Sequence, residues 1–301
     1  MNLLGIALVL SWLLPIPAAV QDEGSVTFLE GSLRIIRGTT ALQAAEGMRL
    51  RQGDIIESSD EGFTQLEFVG GAIVALGPSS RMYVFRHRMG GKSGSDGAET
   101  ELVLLSGWLK GQSGTHAGSY RYESPTLAAT TGNGTVVFHN DEGGCEVFVE
   151  SGSAAIGEVG PDGMVGRSTV GNAGQFFSRR RGKSLTNFSR PSAPFVEAMP
   201  RAFRDALPSR LALFGGKRVE PKAQHQVSYA EIQSWLTMPS AWRRGFVNRF
   251  EPRLNDPEFR KQLEIHAAQY PEWGPILHPE KHSPESPPAA VPSEESPHPR
   301  V

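Results

Sequence analysis

The chain has 301 residues, with 30 Lys plus Arg against 32 Asp plus Glu and a 39 % hydrophobic content. That composition supplies a packed core, excludes a wholly disordered chain, and leaves the whole neither strongly basic nor acidic. A single cysteine, Cys145, excludes an internal disulfide framework, a Cys-x-x-Cys redox pair and a four-cysteine zinc site.

Leu3 to Leu14 is an uncharged apolar run, followed by Pro15-Ile16-Pro17 and the small pair Ala18-Ala19. This is the length of a secretory h-region with a small-residue cleavage zone, and it is short for a membrane span. Residues 1–20 are therefore expected to be a signal peptide, giving a periplasmic chain that is not an integral membrane protein after cleavage. An uncleaved anchor is the alternative. The remaining charge is unevenly spread: residues 21–178 carry net −8, residues 179–194 net +5, residues 195–275 net +3, and the tail net −2.

The acidic part is rich in glycine and reads as strands. Thr64 to Phe68 alternates apolar and polar residues, the period of a half-buried strand, and Ala72 to Leu76 is a fully apolar run between Gly70-Gly71 and Gly77-Pro78. Leu102 to Leu105 ends at Ser106-Gly107, Thr135 to Phe138 follows Gly132-Asn133-Gly134, and Glu146 to Glu150 ends at Ser151-Gly152. Strands of this kind predict a mainly β region over residues 24–178, built as a sandwich, a roll or a β-solenoid. Residues 179–194 read as a basic linker. After it, Ser228 with Glu231 forms a capping box, Trp242, Phe246 and Phe250 recur at helical spacing, and Asp256-Pro257 opens another helix that Pro271 stops. Residues 195–275 are thus expected to be a small α-helical C-terminal region packed on the strands or on a partner. Residues 276–301, rich in Pro, Ser and Glu, are expected to be a disordered tail.

The strand region resembles the FecR domain, a periplasmic β-rich module. The resemblance runs through Gly47 to Ile56, Thr64 to Phe68, Gly71 to Ser80, Leu102 to Gly107, Ser124-Pro125, Gly134 to Phe138, Val147 to Gly152 and Ala173 to Gln175, about half the chain. It implies a glycine-rich solenoid-like or sandwich-like module used for binding and contributes no catalytic residues. Signalling members of that family join a cytoplasmic anti-sigma segment and one membrane helix to this module, which contacts an outer-membrane receptor. Only about 20 residues precede the module here, so no cytoplasmic anti-sigma segment is expected. Asn133 stands where the family carries an arginine before its Gly-Thr pair.

No catalytic constellation, metal motif, phosphate loop or cofactor signature stands out, so the expectation is a non-enzymatic protein without cofactors. Cys145 shares a strand face with Val147 and Val149 and reads as a small buried hydrophobe. His278 and His282 are four apart, but Pro279 denies them the helix that would align two metal ligands. The candidate contacts for a partner are Trp108 after Gly107, Asn133 in the Thr130–Thr135 loop, Glu146 and Glu150 on one strand face, and the cluster Arg179, Arg180, Arg181 and Lys183. Charge reversal at Glu146 and Glu150 is expected to weaken binding without unfolding the chain. The expected partner is an envelope protein, either an outer-membrane receptor or a membrane regulator, and not nucleic acid. The first alternative is a cell-wall glycan held by the basic cluster and exposed aromatics. The second is an enzyme on an unrecognised β scaffold.

Overall fold

The computed structural model describes residues 23–88, 98–114, 118–215 and 217–279. The expected signal segment 1–20 and the tail from residue 280, with His282, lie outside the described residues. The chain forms two units, residues 1–226 and 227–301. The first is mainly β and the second is helical.

The first unit opens with short strands: β1 (Gly24–Glu30), β2 (Leu33–Arg37), β3 (Thr40–Gln43), β4 (Arg49–Leu50), β5 (Ile55–Ser58), β6 (Phe63–Phe68), β7 (Ile73–Leu76) and β8 (Arg81–Arg88). Then come β9 (Ala98–Gln112), β10 (Gly118–Glu123), β11 (Leu127–Asp141), β12 (Gly144–Val159), β13 (Val165–Asn172), β14 (Phe176–Arg180), β15 (Thr186–Phe188) and β16 (Lys222–Gln226). All sixteen belong to one open mixed sheet, in which only β9 and β10 run parallel. The sheet folds onto itself because β9, β11 and β12 each serve two layers. Their outer halves pair in the order β16–β3–β2–β5–β8–β9–β10–β11–β12–β13. Their inner halves pair in the order β4–β1–β6–β7–β9–β11–β12–β14–β15. Between the layers lies a core that includes Val26, Ile35, Leu66, Leu102, Phe138 and Val147, all fully buried.

The crossing from one layer to the other happens at glycines. Gly107, in the middle of β9, has φ +90°, and a Cβ there would come within 2.6 Å of the Ser80 Cα. Gly134 of β11 and Gly152 of β12 face each other across the ladder, and a Cβ on Gly152 would sit 2.1 Å from the Asn133 carbonyl oxygen. Bulges accompany the bend, between Thr130 and Asn133 and between Thr135 and Val136. Three features read from sequence as strand ends are therefore bends inside long strands, and the expected Thr130–Thr135 loop is part of β11. The local signal is the same in both cases: glycine releases the backbone, and pairing on both sides decides whether the strand stops.

A strap then crosses the outer face of the second layer. It comprises α1 (Ala193–Ala198) and 3₁₀ turns at Arg201–Phe203 and Leu211–Phe214. Phe195, Phe203 and Leu207 pack on Ile73, Trp108 and Val137. Polar side chains of the sheet take up the strap's main chain. Lys110, 1 % exposed, donates to the carbonyls of Phe203 (2.7 Å) and Asp205 (2.8 Å) and pairs with Glu150 (2.7 Å). Gln112 accepts from the Leu207 amide and donates to the Leu207 carbonyl, both at 3.2 Å. Gln65 donates to the Pro208 carbonyl (2.8 Å), and Glu67 accepts from the Ser209 hydroxyl (2.7 Å) and the Arg210 amide (2.6 Å). This cover explains why β6, with the alternation of a half-buried strand, is buried on both faces.

The expected basic linker 179–194 is accordingly not a linker. It holds the end of β14, all of β15 and the start of α1, with Ser192 accepting from the Phe195 amide as the helix cap. The expected helical region 195–275 also divides differently. Its first part belongs to the β unit as strap and edge strand, since β16 pairs with β3.

The helical unit contains α2 (Tyr229–Leu236), α3 (Ser240–Arg243), α4 (Phe246–Phe250), α5 (Pro257–Ile265) and α6 (Gly274–Leu277). The capping box is present, with the Ser228 amide donating to Glu231 at 2.8 Å, and Asp256 caps α5 by accepting from Glu258 and Phe259. Trp242, Phe246 and Phe250 are buried, but they sit on two short helices on either side of Gly245. Helix α5 ends at Ile265, and Pro271 opens a further 3₁₀ turn.

Lys110→Ala leaves Glu150 without its cation and two strap carbonyls without their donor. Glu150 is 30 % exposed and keeps part of its solvation, so the main cost is that of the buried strap carbonyls left unsatisfied, about 1–3 kcal/mol. The expected outcome is a lower urea midpoint with the first protease cuts between residues 199 and 211. An unchanged midpoint would show that the ammonium contributes nothing to seating the strap.

Candidate functional site

The register of the second layer sets two cross-strand rows on its outer face. One runs Trp108, His139, Glu146, Ser178, Thr186, and the next runs Lys110, Val137, Phe148, Phe176, Phe188. Phe195 of α1 is wedged over them, with ring centroids 5.1 Å from Trp108 and 4.9 Å from Phe176. Between this helix and the β14–β15 hairpin two adjoining hollows remain. One, of about 550 Å³, is lined by His139, Glu146, Ser178, Arg180, Thr186 and Pro194, among others. The other, of about 740 Å³, is lined by Phe176, Phe188, Arg190, Val196 and Glu197, among others. Together they form a groove that follows β15, the last strand of its layer.

The groove is apolar in its floor and charged at its rim. Phe188 is 49 % exposed and Val196 41 % exposed, and both face the larger hollow. Among the described residues Arg180, Arg181, Lys183 and Arg190 have no carboxylate partner. Most other arginines of the module do: Arg34 and Arg81 share Glu57, Arg37 holds Asp54, and Arg86 and Arg121 flank Glu101. On the opposite wall Glu146 faces His139 at 3.7 Å, and His139 stacks on Trp108 with centroids 4.2 Å apart.

The residues singled out from sequence scatter by this geometry. Glu146 and Arg180 line the groove. Trp108, 7 % exposed, is covered by Phe195 and the strap, so it supports the groove through His139 and offers no surface of its own. Glu150 shares the face of Glu146 but is committed to Lys110, which corrects the expectation that its reversal leaves folding intact. Arg179 is structural as well: it donates to the Thr126 and Val159 carbonyls at 2.7 and 2.8 Å and pairs with Glu158. Arg181 and Lys183 lie exposed in the turn after β14, and Asn133 is exposed at the β11 bend, away from the groove-lining residues. His139, Phe176, Phe188 and Val196 were not singled out. Phe176 and Phe188 become neighbours only through the β14–β15 pairing, which a basic stretch disguised as linker conceals.

Cys145 has its side chain in the inter-layer core, and burial pushes its thiol up from 9.0 to about 12. The Glu146 and Asp141 carboxylates add to the shift, against hydrogen bonding with Ser124 and the Glu146 backbone. Among the described residues no three His, Cys, Asp or Glu side chains come together to hold a metal ion. Nor, among those residues, is any helix long and apolar enough to cross a membrane.

Comparison with protein-family models and with curated proteins found no match. Among solved structures the chain is similar to two crystal structures of a proposed anti-sigma factor from Parabacteroides distasonis ATCC 8503. One, at 2.50 Å, is 13 % identical with a TM-score of 0.35, and the match covers 48 % of this chain and 62 % of that one. The other, at 1.65 Å, is 11 % identical with a TM-score of 0.36, covering 48 % and 63 %. The chain thus spans less than two thirds of the length of the structures it matches, and a likeness of this degree assigns neither family nor activity.

A thiol held near 12 is protonated at pH 8, so Cys145 is expected to resist a thiol reagent in the native chain and to react once the chain unfolds. Above pH 9 the unfolded chain loses this proton while the folded chain keeps it. Stability therefore declines as pH rises from 9 toward 12. Urea midpoints across this range are expected to fall less steeply in Cys145→Ala. Fast labelling of the native chain at pH 8 would place the thiol outside the core.

Proposed function

We propose that this chain is an exported, non-enzymatic recognition module of the FecR kind, acting by protein–protein contact in the periplasm or cell envelope and serving signalling. The observation that carries this reading is the groove beside β15. It joins exposed apolar side chains, Phe188 and Val196, to a rim of free cations, the anatomy of a contact surface with an apolar centre and a polar margin. The resemblance of the strand region to the FecR domain supports the same reading, and the apolar leader Leu3 to Leu14 supports export. The partner in this reading is an outer-membrane receptor or a membrane regulator.

A second reading, binding of peptidoglycan or another envelope polysaccharide, draws on Arg180, Arg181, Lys183 and Arg190. Cations of this kind hold an anionic polymer without needing an apolar floor. The exposed aliphatic Val196 beside Phe188 and the unpaired edge of β15 favour a protein segment over it.

Photo-crosslinking residues placed singly at 188, 196 and 170 in the full-length chain test the reading in cells. Val170 lies exposed on β13 and serves as the control. The expected result is one discrete envelope protein captured from 188 and from 196 but not from 170, on a chain shortened by about 18–20 residues. Capture of glycan alone, or equal capture from all three positions, would contradict recognition through this groove.

A further inference from the structure

Resting on the recognition reading, we infer that the groove takes an extended acidic segment of a partner protein, which lies along β15 with an apolar side chain between Phe188 and Val196 and carboxylates on Arg180 and Arg190. Three observations lead there. The edge of β15 away from β14 has no strand partner among the described residues, and Thr186, Asn187 and Phe188 are all exposed. An edge of this kind accepts an added strand through main-chain hydrogen bonds, with alternate side chains supplying specificity. The floor beneath it is a pair of phenyl rings, Phe176 and Phe188, at 6.2 Å, closed by Val196 on the helix side. An alternating segment would send every second side chain onto that floor.

Charge decides the chemistry of the remaining positions. Arg180 borders one hollow and Arg190 the other, and neither has a carboxylate partner among the described residues. Arg181 and Lys183 add two more such cations on the same hairpin turn. The acids nearby are largely committed: Asp141 accepts from the Gly143 and Gly144 amides, and Glu146 faces His139. Glu197 is the acid left facing the larger hollow. A partner segment rich in lysine would meet four like charges, whereas an acidic one supplies what the hairpin lacks.

Two synthetic peptides test this by titration against the full chain, with charged and apolar residues at every second position so that they face the same side: Glu-Thr-Leu-Thr-Glu, and Lys-Thr-Leu-Thr-Lys. Polyglutamate serves as a purely anionic control. The acidic peptide is expected to bind about tenfold more tightly than its lysine counterpart, and more tightly than polyglutamate per site. The exposed pair Arg180→Glu and Arg190→Glu is expected to reverse the peptide preference, and Val196→Asp to weaken the acidic peptide without altering the urea midpoint. Equal binding of both peptides, no binding of either, or polyglutamate binding as well as the acidic peptide would overturn the inference. If crosslinking from residue 188 still captures a discrete protein in that event, recognition stands and only the acidic chemistry falls. If crosslinking also fails, the recognition reading itself falls.

Discussion

A buried ammonium organises the outer face of this module. Lys110 lies in the second half of β9, where the strand has already passed its Gly107 bend, and its three protons go to two strap carbonyls and to Glu150. Removing such a charge from water is costly, and only a full set of acceptors offsets the cost. Those acceptors exist only when the strap is in place. The same logic holds for Glu67, whose carboxylate is satisfied by a hydroxyl and two main-chain amides of the strap, and for Gln65 and Gln112. Four polar side chains on one sheet face thus read the strap through its backbone, and Phe203 and Leu207 supply the apolar anchorage.

The groove follows from that seating. Its floor belongs to the sheet, through Phe176 and Phe188, but its far wall is α1, the first part of the strap, held by Phe195. Without the seating of residues 193–215 on the sheet, the rows running from Trp108 and Lys110 would be an open face and no groove would exist. Recognition by this chain, in the form proposed, is therefore a joint property of a strand edge and the helix and strap that follow it in the chain.

Much of the scaffold was legible in the sequence. Apolar alternation located β6, an unbroken apolar run located β7, the cap motifs located α2 and α5, and Cys145 was placed in the core by the face it shares with Val147 and Val149. What escaped has a common physical cause. Glycine marks both a strand end and a strand bend, and only the pairing of Gly134 with Gly152 across two strands distinguishes them. The strap escaped because short 3₁₀ turns and side-chain-to-main-chain bonds have no period. The one local hint was Lys110, a cation in the middle of a strand that pairs on both edges. The groove escaped because the basic composition of residues 179–190 suggested solvated chain, whereas Arg179 turns inward to cap two carbonyls and only its neighbours remain free.

Amide hydrogen exchange of the full-length chain tests the seated strap most directly, because the Leu207, Arg210 and Leu211 amides all donate to side chains of the sheet. A strap integral to the module predicts that these amides exchange slowly, close to the rates of the strands beneath them. Exchange at the rate of an unstructured peptide, with β6 and β9 still protected, would show that the strap leaves the face readily and that the groove has no fixed wall.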